Sequence, residues 1–215
     1  MRLRRLAVAL ASVAALAMPA AALAQSLDRF LKAVDEGDVQ TVSAYLDRGL
    51  DPNTADKAGN SPLMNAARQG HRDLVALLIA RKADVNQRNP FGDTAIMYAS
   101  LKGKLDCVKL LAENGARLDS GNGWSPLQYA AYEGHADVLR YLLERGAPKD
   151  APAPNRQTPL MLAVRSGKVE AVQALLYADA DLRARGPAGE TALSLAQARR
   201  DAEMEALLRR AGAVE

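Results

Sequence analysis

The sequence predicts an all-α chain: an α-solenoid of about six stacked helix–turn–helix units, each with an extended β-turn finger, behind an export signal. Three observations predict it. A hydroxyl residue followed by Pro or Ala and then an aliphatic residue recurs at Ser61, Thr94, Ser125, Thr158 and Thr191, at intervals of 33, 31, 33 and 33 residues. Alanine, glycine and leucine pairs keep step with that mark. Aromatic residues are only 4% of the chain, which favours helices over sheets.

The first element is the leader. Arg2, Arg4 and Arg5 precede an apolar run from Leu6 to Met18, shorter than the roughly 20 residues of a membrane span. Pro19 breaks the run, and Ala22-Leu23-Ala24 supplies a small-x-small cleavage pattern, so residues 1–24 are assigned as a signal peptide. Gln25, not Cys, follows the expected cut, which gives no support for a lipid anchor. Arg4-Arg5 is a twin-arginine pair in a poor context for that route. No second apolar run of spanning length follows. The Ala-rich leader points to a bacterial periplasm, with secretion as the alternative.

The leader also explains the charge. The chain carries 28 Lys and Arg against 25 Asp and Glu, and three of the arginines lie in the first five residues. The body from residue 25 onward is therefore neutral, without the broad basic footprint that a phosphate backbone requires. Nucleic acid is excluded on that ground. One cysteine, Cys107, makes no internal disulfide, so packing must supply the stability.

The remaining elements are the repeats, with starts near 28, 61, 94, 125, 158 and 191 in a single domain over residues 25–215. With the hydroxyl residue counted as zero, Ser or Thr caps a first helix and Pro at +1 suits its first position. Leucine at +2 and alanine at +5 share one face, the alanine admitting a neighbouring helix. Glycine at +9 ends the first helix in a left-handed residue, as at Gly70, Gly103, Gly134 and Gly167. A second helix carries apolar residues such as Leu74, Val75, Leu78 and Ile79, and a further glycine closes it at Gly115, Gly146 and Gly212. Projecting back one period makes Asp28 a sixth start, with Gly37 and Gly49 in phase.

These residues resemble the ankyrin-repeat family, whose signature is a Thr-Pro-Leu-His-x-Ala helix start in a 33-residue period. Ser61–Asn86 and Ser125–Ala147 carry it best, and the likeness spans roughly residues 27–215. There are departures. The signature histidine is Met64, Met97, Gln128, Met161 or Ser194, so its hydrogen bonds are absent or replaced. Lys82, Asp179, Arg156 and Arg200 stand where glycine belongs, at a strain cost if those turns stay left-handed. The 31-residue interval implies a trimmed turn around Asp119–Gly123.

The resemblance implies a non-catalytic scaffold for an unidentified protein partner, met by the turn tips and the exposed face of the first helices. In this sequence those positions collect Phe91, Trp124 and Tyr132, with Arg68, Lys102, Glu133 and Arg165 around them. Large aromatics with arginine are typical anchors of such surfaces. Phe91 and Trp124 either project from this face or fold down over their own turns.

Other chemistry finds no support. His71 and His135 lie two repeats apart, too far to share a metal. Cys107 sits at a core position without a neighbouring base. Met64, Met97 and Met161 form a ladder, not a cluster meeting at one ion. No catalytic residue, cofactor or metal site is assigned, and a monomer is expected. A secreted effector acting on host proteins and a small-molecule or metal carrier remain the alternatives.

Overall fold

The computed structural model describes residues 20–214 apart from Ser120 and Asn122, with side chains from Gln25 onward. Most of the predicted leader, and Asn122 of the trimmed turn, lie outside the described residues. The described chain forms six antiparallel helix pairs. They are α1 (Ala20–Glu36) with α2 (Val39–Asp47), α3 (Pro62–Gln69) with α4 (Arg72–Ala80), and α5 (Ala95–Leu101) with α6 (Leu105–Glu113). Then come α7 (Pro126–Glu133) with α8 (Ala136–Glu144), α9 (Pro159–Arg165) with α10 (Val169–Tyr177), and α11 (Ala192–Ala198) with α12 (Ala202–Arg210). First helices stack on first helices and second on second, each repeat touching its sequence neighbours, as in a solenoid. Among the described residues no helix is long and apolar enough to cross a membrane.

The caps form as their chemistry demands. Ser61, Ser125, Thr158 and Thr191 each accept a hydrogen bond from the backbone N–H three residues on, at 3.2–3.3 Å. Thr94 is the exception: its hydroxyl is buried and finds no partner. Asp28 caps nothing, because α1 runs straight through it from Ala20; the stretch between them holds no Pro or Gly to break it.

The missing signature histidine is replaced piecemeal. The N–H of Ser61 and of Thr94 meets the thioether sulfur of Met64 and Met97, at 3.4 and 3.3 Å. Gln128 does more. Its Oε1 accepts from Ser125 N at 2.8 Å while its Nε2 donates to Ala151 O at 2.8 Å, tying repeat four to the finger of repeat five.

The fingers are five-residue turns with one recurring pair of bonds, and no strand occurs among the described residues. In repeat two, Asp56 N donates to Asn60 O and Gly59 N to Asp56 O, both at 2.9 Å. The same pair links Asn89 with Asp93, Ala153 with Gln157, and Gly186 with Glu190. Lys82, Arg156, Asp179 and Arg200 do adopt left-handed backbone, with φ of +67°, +62°, +55° and +56°. The repeat thus imposes the glycine conformation even where glycine is missing.

The core is one continuous strip. Position +2 contributes Leu63, Ile96, Leu127, Leu160 and Leu193, and position +17 contributes Leu78, Leu111, Leu142, Leu175 and Leu208, all at most 1% exposed. Truncating one such leucine to alanine costs about 2–5 kcal/mol. Outside the core, a ladder joins consecutive turns: Asn53 Oδ1 accepts from Asp84 N, Asn86 Oδ1 from Arg117 N, and Asp150 Oδ1 from Asp181 N, at 2.7–2.9 Å. The missing rung falls between repeats three and four. There the donor position is Pro148, which has no N–H, and Asp119 turns instead to Arg117.

Candidate protein-binding face

Three columns of side chains run along the concave side, at positions −1, +4 and +7 of each repeat. In repeats two to four these side chains bond to one another and to Asp56 and Asn89, which stand at −5 of the second and third repeats. Asp56 Oδ2 accepts from Asn65 Nδ2 at 2.9 Å, and Asp56 Oδ1 from the N–H groups of Ala58 and Asn60. Burial alone would raise this carboxyl, but those bonds outweigh it and hold its pKa below the usual range. Asn89 Nδ2 donates to Asn60 Oδ1 at 2.9 Å and to Tyr98 OH at 3.1 Å. Burial and the nearby Asp93 push the Tyr98 phenol up, while Arg68, 5.9 Å over its ring, pulls the other way. Tyr129 OH donates to Asp93 Oδ1 at 2.9 Å, and burial together with that bond raises its pKa strongly, so it remains a donor.

Towards repeat five the face changes character. Trp124 is half-buried, its ring 5.5 Å from Tyr129 and 5.9 Å, edge to face, from Tyr132. With Leu101, Leu162, Asn155, Gln157 and Arg165 these rings line a groove of about 430 Å³. Tyr129 and Leu162, both at +4, make the floor, and the −1 and +7 residues make the walls. Tyr132 remains 46% exposed.

The seven residues assigned from the sequence do not form one patch. Trp124, Tyr132 and Arg165 line this groove. Glu133 joins Tyr132, Arg165 and Lys168 around a second hollow that shares Tyr132 and Arg165 with it. Phe91 stands apart, 79% exposed at its finger tip beside Arg88 and Arg117. Arg68 lies over Tyr98, and Lys102 is exposed at the end of α5. The +4 column, Tyr98, Tyr129 and Leu162, was missed in the sequence; two tyrosines in register there were the available signal.

The chemistry-bearing residues elsewhere are occupied. His71 Nε2 meets Asp35 O at 2.9 Å and His135 Nε2 meets Leu101 O at 3.1 Å, each ring reaching back to the end of the preceding first helix. Cys107 is 1% exposed, and burial pushes its thiol up to about 11. Among the described residues no group of three or more His, Cys, Asp or Glu is placed to hold a metal ion.

A profile for ankyrin repeats in three copies matches residues 30–122, 69–153 and 117–186. The chain belongs to the ankyrin-repeat family. Ankyrin repeats mediate protein–protein interaction and are typically non-catalytic. The fold is similar to that of the human ASB11 ankyrin repeat domain, with a TM-score of 0.78 and 26% identity over 86% of this chain and 84% of that one. No curated protein matches the sequence.

Proposed function

We propose that this ankyrin-repeat chain is a protein-binding scaffold of the bacterial periplasm and seats its partner on the concave face of repeats three to five. The observation that carries the reading is the groove around Trp124. Elsewhere on that face, polar side chains largely satisfy one another, whereas here three aromatic rings and two leucines border open space. A Trp, two Tyr and an Arg around one depression have the composition of a binding hot spot. Phe91, Lys102 and Arg68 would meet the outer parts of a partner large enough to bury about 800 Å² on this side.

Export is argued from the leader. Its apolar run and its small residues before Gln25 fit signal-peptide cleavage. The first buried core side chain among those described, from Gln25 onward, is Phe30, five residues beyond the expected new N-terminus.

The test is capture from periplasmic extract by immobilised protein, wild type against Trp124→Ala. Losing a hot-spot tryptophan is expected to weaken binding by about 2–4 kcal/mol, which abolishes capture while the helical spectrum is kept. Unchanged capture by the variant would sink the reading. Fractionation of cells and medium tests the compartment; recovery from the medium would favour a secreted effector.

A further inference from the structure

We infer that the groove between repeats four and five takes an acidic peptide segment of the partner: a large apolar side chain set against Trp124, with a carboxylate within two residues of it paired to Arg165. The inference rests on the concave face being the partner's seat, and it adds the chemistry of what sits there.

The apolar half follows from the lining. Tyr129 and Leu162 under Trp124 and Tyr132 leave a depression of about 430 Å³, enough for one or two side chains and not for a folded domain.

The charge follows from which ionic groups are already committed. Asp93 Oδ1 accepts from Tyr129 OH at 2.9 Å. Glu190 Oε2 accepts from Ala188 N at 2.8 Å, and backbone hydrogen bonds hold that carboxyl below its usual value. Asp93 and Glu190 are thus already bonded within the fold, and the groove lining itself holds no acid. In the adjoining hollow Glu133 is the one acid set against Arg165 and Lys168, which leaves that rim net positive. Arg165 is not so bonded. Its backbone carbonyl accepts from Arg199, and its charge is felt at Glu190, but its guanidinium makes no ion pair or hydrogen bond with a described residue. Lys168, without an ion pair among the described residues, adds a second positive charge in the adjoining hollow. An aromatic depression with a cation at its rim disfavours a cationic guest, although the rings alone would attract one. It favours a carboxylate, which the Arg fork can hold in a bidentate pair.

A display library of random heptapeptides panned on the immobilised full chain tests this, followed by fluorescence polarisation of the enriched peptides. The expected peptides carry Asp or Glu within two residues of Phe, Trp, Leu or Ile. Arg165→Gln should weaken them about tenfold, the effect of one lost charge-assisted bond, and Trp124→Ala about thirtyfold or more. Panning on Arg165→Glu should select Lys or Arg at the same place. Tyr132→Ala, at an exposed ring, serves as the groove variant if Trp124→Ala does not fold. Peptides without acid bias that still need Trp124 would overturn the charge inference and keep the face. Peptides indifferent to Trp124, Tyr132 and Arg165, or no enrichment at all, would overturn the inference, and indifference would take the concave-face reading with it.

Discussion

Replacing Gly103 by alanine tests how one repeat locks onto the next. Gly103 has φ of +62°, and a Cβ built there would sit 2.5 Å from Nδ1 and 2.7 Å from Cε1 of His135, the ring that meets Leu101 O. Two costs therefore combine. Left-handed backbone costs a residue with a Cβ about 1–2 kcal/mol, partly offset by alanine's narrower unfolded ensemble, for a net cost of about 1 kcal/mol. Displacing the ring loses its hydrogen bond, about 1 kcal/mol, and crowds a packed junction for about 1 kcal/mol more. Gly115 is the control: φ is +86° and nothing lies within 4 Å of its Cβ, so only the backbone cost applies. Gly103→Ala should destabilise by about 3 kcal/mol and Gly115→Ala by about 1 kcal/mol. With His135→Ala already present, the extra cost of Gly103→Ala should fall to about 1 kcal/mol, a coupling of about 2 kcal/mol. Guanidinium unfolding followed by far-UV dichroism and by the fluorescence of Trp124, the only tryptophan, measures wild type, the three single variants and the double variant. Equal costs at Gly103 and Gly115, or no relief in the His135 variant, would refute the ring-over-glycine account.

Three further predictions follow from the same geometry. Gln128→Ala removes both the bond from Ser125 N and the bond to Ala151 O, and should lower stability by about 2–3 kcal/mol; a urea midpoint unchanged within error would show that the bridge contributes nothing. Lys82→Gly and Asp179→Gly relieve left-handed backbone at exposed sites in separate repeats, and each should raise stability by about 0.5–1 kcal/mol, additively, in thermal melts of single and double variants. The Cys107 thiol, held up to about 11 by burial, should resist thiol reagents at pH 8 until the chain unfolds. Because the folded pKa is raised, stability is unaffected by this group below the unfolded value of about 8.5 and falls as pH climbs from there towards 11. Unfolding at pH 8 and pH 10 should show a smaller loss in Cys107→Ala than in wild type.

The core is legible in the repeat pattern alone. Leu78 and Leu111 hold equivalent positions because burial recurs wherever the helix phase recurs, and the left-handed turns at Lys82 and Arg200 follow from register alone. What the pattern hides is contact between equivalent positions of successive repeats. His135 meets Leu101 and Tyr129 meets Asp93 because repeats stack with a particular offset and rotation, which no spacing along the chain reveals. The same blindness joined Phe91 to Trp124. Both occupy fingers of adjacent repeats, but the turn between those repeats is shortened and its rung is lost at Pro148, and the two rings end in different depressions. Asp28 misled for a simpler reason: a phase projected back one period assumes a helix boundary, and the Ala-rich stretch before it supplies none.

The rings and stems lying over the preceding glycines alternate along the molecule. His71 covers Gly37, Lys104 covers Gly70, His135 covers Gly103 and Lys168 covers Gly134. The His pair and the Lys pair are each 64 residues apart, and so are Arg81 and Arg145, which reach back to Asp47 and Glu113 of the preceding repeats. The chain therefore carries a second, longer rhythm in which the unit is a couple of repeats, as though repeats two and three had been copied into four and five. An engineer who lengthens it should splice in couples: one added couple keeps every imidazole and every lysine stem over its own glycine, whereas a single added repeat sets like against like at one junction.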